Sequence, residues 1–259
     1  MTTSTTGRKP PWYKKILPPV ISVLFWLVVW QAAAMMIGEG ILLVSPLSVA
    51  KELLRLMGNA EFYGTVGFSF ARITLGIVLA MLFGTALSVA AYKLPFVQTL
   101  LRPLMGAVKA APVASFVVIA LLAVGSRNLS ALITFMMVLP VFYTSLLTGM
   151  KSVDSERFEA AAVFGMLNRD RFRFIYLPYV TPHFASACEV GIGIAWKAGV
   201  SAEVIGITAG SIGGRLYDAK LNLETPTLFA YTFVVILISL VLERLAKRLI
   251  VYIEHRLEK

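Results

Sequence analysis

Five ionisable side chains lie within or beside long apolar stretches of this 259-residue chain. They are Arg72, Lys109, Glu189, Lys197 and Glu203. Because a charged group inside a membrane is costly, such residues usually face a cavity or a partner of opposite charge. We therefore take them as the first candidates for contact with a polar or ionic solute.

One helical face in the fifth apolar stretch carries several residues of interest. Glu189, Gly193 and Trp196 recur at spacings of four and three, and Lys197 and Glu203 follow. A glycine on such a face permits close helix approach, so the face is a candidate lining of a pore or of a dimer seam. Lys197 near the outer end of the span suits an anionic solute; alternatively it reaches the outer interface or pairs with Glu203.

The sequence lacks the usual motifs of enzymes and of metal-binding proteins. It contains no His-Glu-x-x-His helix, no Gly-x-Ser-x-Gly elbow and no Gly-x-x-x-x-Gly-Lys-Ser/Thr phosphate loop. One cysteine, Cys188, excludes an intramolecular disulfide, and His183 and His255 are far apart in sequence. We expect His183 and Cys188 to lie in apolar surroundings. The chain is predicted to be non-catalytic and to bind no cofactor or metal.

A different chemistry, the docking of a partner protein, is indicated by the segment at 159–178, EAAAVFGMLNRDRFRFIYLP. It lies between two long apolar stretches and contains Glu-Ala-Ala, then Gly165, then Ile-x-Leu-Pro at 175–178. Asp154 or Ser152 can cap a helix that starts here, and Gly165 can end it, which predicts about ten helical residues. Leu177 and Pro178 mark the return to the apolar region.

The predicted short helix has one face suited to a partner groove. Phe158, Ala161, Ala162 and Gly165 fall on that face at helical spacing. One aromatic side chain therefore lies beside small residues that allow close approach. An ordinary amphipathic connector on the membrane would explain the helix alone, but not the whole twenty-residue pattern.

This pattern resembles the EAA loop of ATP-binding-cassette (ABC) importer permeases. The chain is similar to the permeases of the nitrate, sulfonate, taurine and bicarbonate class from about Ser45 onward. The likeness includes Lys-Ser-Val-Asp at 151–154 and the stretch Glu189–Glu203, with Ala-Trp at 195–196 and Ala-Glu at 202–203.

The resemblance implies a type I ABC-importer-like permease fold that works as part of a complex. The implied partners are two ATPase subunits, a second permease copy in a homodimer, and an external substrate-binding protein. The cytoplasmic helix at 155–165 would dock on the ATPase, which would hold ATP and Mg. The coupling residues expected on this basis are Phe158, Glu159, Ala160, Ala161, Gly165, Ile175, Leu177 and Pro178.

The composition is that of an all-α polytopic membrane protein. Hydrophobic residues make up 58% of the chain, charged residues 15%, and the mean hydropathy is +0.79. A bilayer core needs about 20 apolar helical residues. Six spans are predicted, the third interrupted by prolines: Leu17–Ile37, Val66–Ala91, Pro112–Val124 with an extension from Phe96, Leu129–Met150, Tyr179–Val200 and Pro226–Leu245.

The basic residues predict the orientation. With both termini in the cytoplasm, sixteen of the 24 Lys and Arg residues fall in inner loops and tails and five in outer segments. Positive charge favours the cytoplasmic side, so the N-in, C-in orientation is preferred, in a bacterial-type inner membrane. The net charge of +10 follows from this bias, and we expect no nucleic-acid binding.

The predicted organisation has five parts. Residues 1–15 form a cytoplasmic tail, 16–38 an uncleaved first span, and 39–65 an external segment with an interfacial helix from Leu47 to Met57. Residues 66–246 form a permease core of five spans that contains the EAA loop at 152–178, and 247–259 form a second tail. A flexible turn is expected at 209–214.

Three other functions remain as alternatives. A secondary transporter would need its own coupling-ion site, and an intramembrane enzyme would need a catalytic set. A membrane scaffold is the third alternative. A secondary transporter would also leave the EAA loop unexplained, and co-purification with an ATPase separates all three alternatives from the importer permease.

Overall fold

The computed structural model describes residues 12–38, 43–154, 156, 159, 161 and 163–257. This part of the chain is helical, with no strand. In order, the helices are α1 (Trp12–Ile37), α2 (Pro46–Met57), α3 (Ala60–Lys93), α4 (Pro95–Ala110), α5 (Val113–Lys151), α6 (Asn168–Arg171), a π-helical turn (Phe172–Tyr176), α7 (Leu177–Ile205), α8 (Ile212–Leu221) and α9 (Thr225–Leu257).

Four helical segments in the described residues are long and apolar enough to cross a membrane. They are Leu17–Ile37, Ala60–Lys93, Val113–Lys151 and Thr225–Ile250. The predicted fifth span lies inside α7, which has 29 residues and packs along α5 but does not reach the same apolarity. The count of six spans and the orientation therefore stay predictions.

The predicted third span differs from the structure. Its upstream extension forms a separate helix, α4, and Ala111 then turns to an extended conformation (ψ 140°) because Pro112 follows it. α5 itself is broken at Gly125, whose φ of 68° lies in the left-handed region. The 12 residues before Gly125 reach about 18 Å at 1.5 Å per residue, short of a bilayer core.

The centre of the fold is the contact of α3, α5 and α7. Small residues let these helices approach closely: Gly76 of α3 and Gly199 of α7 both lie against Thr134 of α5. The Thr134 hydroxyl donates to the carbonyl of Ala195 at 3.5 Å. Gly76 is buried, so α3 and α5 lie in direct backbone contact at this point.

The segment between the first two predicted spans contains the expected helix. Ser45 caps α2 by accepting from the Ser48 amide, and Val49 is buried against Ala230 of α9. α1 contacts α2, and Trp30 stacks near Phe229 with ring centroids 5.8 Å apart. The apolar window of α1 is otherwise unburied, as expected for a helix that faces lipid.

The glycine-rich segment at 209–214 is a turn only in its first part. Ala209 and Gly210 form the turn, with Gly210 at a φ of 72°, whereas Ser211 caps α8, which starts at Ile212. A Cβ on Gly213 would lie 2.3 Å from Glu203 Cβ, and one on Gly214 would lie 2.2 Å from the Thr208 carbonyl oxygen. These glycines are there because α8 packs directly against the end of α7.

Candidate functional site

The EAA segment has the predicted helical character. Glu156 and Glu159 are helical and exposed, and the chain turns at Gly165, where φ is 62°. The Met166 amide donates to the Ala161 carbonyl at 2.9 Å, which closes the end of the helix. Among the predicted coupling residues, Phe158 and Ala160 lie outside the described residues.

Of the predicted contact face, Ala161 and Gly165 are described, whereas Phe158 and Ala162 lie outside the described residues. Ala161 is only 2% exposed and therefore faces the rest of the chain. In contrast, Val163 and Phe164 are each 83% exposed, and Leu167 is 71% exposed. We call these three residues the apolar tip. Helical periodicity did not indicate it, because the tip includes the turn after the helix.

The return path anchors the segment to the helices. Ile175 is buried, Leu177 is half-buried, and Pro178 is exposed in the first turn of α7. The Tyr176 hydroxyl lies 3.3 Å from the hydroxyl of Tyr92 at the end of α3, and their rings meet edge to face. Burial, together with this hydrogen bond, raises the pKa of Tyr176 to about 12. Tyr176 therefore stays neutral at physiological pH.

The five predicted path residues are not brought into one cavity. Glu189 forms an ion pair with Lys247 of α9 at 3.7 Å. A Cβ on Gly193 would lie 3.1 Å from an oxygen of Glu243, also in α9. Glu189 and Gly193 thus face α9, whereas Trp196 is fully buried beside Phe70 of α3.

Lys197 and Glu203 also lie in different surroundings. Lys197 is exposed on a groove of about 430 Å³ that Trp196 and Thr232 also line. Glu203 is fully buried, and its Oε2 accepts from the Ser69 hydroxyl at 2.8 Å and the Gly213 amide at 3.1 Å. Glu203 therefore ties α7 to α3 and α8, and it does not pair with Lys197.

A different groove collects polar side chains from three helices. Lys109 of α4 donates to the Thr144 hydroxyl of α5 at 3.1 Å. No carboxylate of the described residues lies within ion-pair distance of Lys109. The groove has a volume of about 380 Å³; its lining residues are Lys109, Val141, Thr144, Ser145, Thr148, His183, Ser186, Ala187 and Val190. We call this the Lys109 groove.

The sequence pointed to Lys109 but not to the rest of this groove. His183 was expected in apolar surroundings, yet it is half-buried on the groove, and its carbonyl accepts from Ser145 at 3.0 Å. Cys188 is buried as expected. One feature of the sequence could have indicated this groove: Thr144 and Thr148 lie four residues apart and so place two hydroxyl groups on one face of a span.

The groove is suited to binding rather than to covalent chemistry. It offers the Lys109 ammonium, one imidazole and the Ser186 hydroxyl, whereas the hydroxyl groups of Thr144, Ser145 and Thr148 already donate to backbone carbonyls. Within the described residues, no group of His, Cys, Asp and Glu side chains is arranged to hold a metal ion. An anion with hydrogen-bond acceptors is the ligand that this donor set fits.

Sequence comparison assigns the family. The profile of the binding-protein-dependent transport system inner membrane component matches residues 72–259, well over half of the chain. The chain belongs to this family. It is therefore an integral membrane protein of the permease type, and the suspected class is confirmed.

Two relatives among permeases illustrate the class. The taurine transport system permease protein TauC of Escherichia coli K12 is 27% identical over 220 residues, covering 83% of this chain and 80% of TauC. The nitrate import permease protein NrtB of Synechocystis is 26% identical over 238 residues, covering 85% of this chain and 86% of NrtB. Both alignments span most of each protein.

A solved structure has the same helical fold. It is an amino acid ABC transporter crystallised with histidines, and it is 14% identical to this chain. The match has a TM-score of 0.57 and covers 76% of this chain and 94% of the other. At this identity the likeness shows the fold, and the solute of that transporter carries no information about this permease.

Proposed function

We propose that this chain is the translocating subunit of an ATP-driven importer and that it couples to a separate ATPase through the segment at 155–165. The observation that carries the proposal is the pairing of exposed Glu159 with the apolar tip. Three apolar side chains, each more than two-thirds exposed, sit beside a charged helix in an otherwise membrane-bound protein. Such a patch favours a protein partner.

The way the segment is anchored supports its use as a lever. It follows α5 directly and returns into α7 through buried Ile175 and the Tyr92–Tyr176 contact. A displacement of the docked helix is therefore passed to the ends of α5 and α7. ATP-driven closure of two ATPase subunits would then switch the spans between inward-open and outward-open packings.

The Lys109 groove is the part of the path that the geometry favours for solute contact. α5 and α7, which the segment joins, supply its two long walls, and Lys109 supplies a positive charge that has no ion-pair partner among the described residues. The solute is accordingly a small organic or inorganic anion. The taurine and nitrate permeases are relatives whose named solutes carry an anionic group: nitrate is an anion, and taurine is a zwitterion with a sulfonate.

The complete complex is expected to contain two permease copies, two ATPase subunits and an external substrate-binding protein, in a bacterial-type inner membrane. The chain has no phosphate loop of its own. ATP and Mg are therefore assigned to the partner ATPase, and this chain is assigned no catalytic step.

The test compares two charge reversals on the same short helix. Glu159→Lys and Glu156→Lys each change an exposed helical glutamate, but only Glu159 belongs to the Glu-Ala-Ala pattern. Purified chain is first examined for a co-purifying ATPase, and the ATPase activity of the complex and its solute uptake in proteoliposomes are then measured. We expect Glu159→Lys to lose ATPase binding or uptake while Glu156→Lys retains both.

Two results would contradict the proposal. A stable chain that binds no ATPase and still transports would favour a secondary transporter. If both variants formed an intact complex with the same ATPase activity and the same uptake, the EAA helix would not be part of the coupling contact.

A further inference from the structure

Two adjoining cavities lie where the EAA segment returns to the helices. The larger has a volume of about 610 Å³ and the smaller about 230 Å³. They share wall residues from α3, α5 and α7, so they lie side by side. The shared residues are Thr85, Val89, Met150, Leu177 and Val180. We call the two together the return cavity.

The wide end of the return cavity is basic. Lys93 at the end of α3 and Arg171 at the end of α6 line it, together with Asn168, Tyr92 and Tyr176. No acidic residue is among the lining residues of this end. Arg171 Nε is buried and has no hydrogen-bond partner in the described part of the chain. Two cations, Lys93 and Arg171, therefore line one opening, and one nitrogen of the Arg171 guanidinium has no hydrogen bond among the described residues.

The narrow end is apolar. Leu146, Phe184 and Ile250 form its walls, and the hydroxyl groups that also line it are already satisfied. Ser88 donates to the Thr85 carbonyl at 2.8 Å, and Thr181 donates to the Leu177 carbonyl at 2.7 Å. Thr85 likewise donates to the carbonyl of Met81 at 2.6 Å. This end therefore offers a ligand only apolar contact.

The opening lies at the level where a membrane surface is expected. Helix α3 ends at Lys93 after 34 largely apolar residues, and the two tyrosines are of the type that is enriched at membrane interfaces. A ligand with an anionic head and a long apolar tail satisfies both ends at once. A soluble anion would leave the apolar end without a partner.

We propose that the return cavity binds an anionic phospholipid, with the phosphate at Lys93 and Arg171 and an acyl chain between α3, α5 and α7. This site is distinct from the Lys109 groove, because the two share no lining residue. The lipid braces the EAA return segment against α3. Lipid binding does not depend on the proposed function, whereas its effect on transport does.

Lipid selectivity is the direct test. Purified chain is delipidated, and binding of phosphatidylglycerol and phosphatidylcholine is compared by native mass spectrometry in the same detergent. We expect phosphatidylglycerol to be retained at least about tenfold more strongly, as two cations near an anionic headgroup predict. Equal retention of the two lipids would overturn the proposal.

Two matched pairs of variants locate the site. Lys93→Gln with Arg171→Gln removes both charges at the opening. Lys151→Gln with Arg173→Gln removes the same charges from the same end of the bundle, but these residues do not line the cavity. The first pair is expected to lose the preference for phosphatidylglycerol, and the second to keep it. Equal loss in both pairs would indicate only general surface charge.

The apolar end is tested separately. Val180→Phe fills the shared wall without changing charge, so it is expected to weaken phosphatidylglycerol retention. Unchanged retention would place the lipid on the outer surface instead.

Inorganic phosphate is added as a competitor in a separate experiment. Displacement of the lipid by phosphate alone would mean a soluble-anion site, which contradicts the proposal. Uptake assays in the two lipids then report separately on coupling.

Discussion

Replacing Gly76 with alanine tests the central contact of the fold. A Cβ atom at this position would lie 2.6 Å from the Ala131 carbonyl oxygen and 2.7 Å from Thr134 Cβ. Carbon atoms in contact normally lie about 3.5–4.0 Å apart, so α3 and α5 would have to separate by about 1 Å. Overpacking of this kind typically costs about 1–3 kcal/mol.

Gly67→Ala is the matched control in the same helix. Nothing lies within 4 Å of a Cβ at Gly67, and Gly67 is exposed. Both substitutions gain the same helix propensity relative to glycine, so the difference between the two variants isolates the packing cost. About 1–3 kcal/mol corresponds to a difference of about 2–12 °C in apparent melting temperature for a chain of this size.

The assay is thermal unfolding of the purified chain in detergent, followed by tryptophan fluorescence, with both variants in the same preparation. We expect Gly76→Ala to melt well below Gly67→Ala. Equal midpoints would refute the reasoning, because they would show that α3 and α5 do not meet at Gly76.

Three further substitutions probe the docking surface, the buried network and the groove. Phe164→Ala is expected to weaken ATPase binding about 10- to 150-fold, since burial of an exposed Phe is worth about 1.5–3 kcal/mol. If interferometry showed an unchanged affinity for the ATPase, the apolar tip would not be part of the contact. Glu203→Ala leaves the donors of Ser69 and Gly213 unpaired, which destabilises the fold by about 1–3 kcal/mol for each donor. This variant should therefore melt at a lower temperature than Glu203→Gln, which keeps an acceptor. The opposite order of melting temperatures would contradict a stabilising role for these two hydrogen bonds. Lys109→Met should lower uptake of an anionic solute at least about tenfold, because a charged hydrogen-bond donor is lost. The complex should still assemble. Normal uptake would show that Lys109 does not contact the solute on its path.

Local patterns predicted the features that depend on nearby residues. The periodicity of Val49 and Leu53 predicted α2, and Gly165 was identified as the residue that ends the short helix. Both follow from the conformational preferences of a few consecutive residues. The family likeness added the roles of distant segments, which no local pattern contains.

The predictions from the sequence were wrong or incomplete where parts of the chain that are distant in sequence meet. Gly213 and Gly214 look like turn residues, but their small size is needed because α8 packs on Glu203 and Thr208. The Lys109 groove was missed because its polar residues come from three helices, none of which is unusually polar alone. The apolar tip was also missed, because its exposed apolar residues extend past the end of the helix, where helical spacing gives no signal.

The position of the Lys109 groove limits how the coupling motion can open a path. Thr148 lies three residues before the end of α5, and His183 lies six residues after the start of α7, so the groove is within about 10 Å of the EAA segment at 1.5 Å per residue. The Ser145 hydrogen bond to His183, and the close approach of Gly149 to the same residue, join α5 and α7 at this level. The two helices are therefore expected to move as a pair when the segment is displaced. On the proposed function, we therefore expect the path to open between this pair and its neighbours, including α4, whose Lys109 contacts the Thr144 hydroxyl of α5, and not between α5 and α7 themselves.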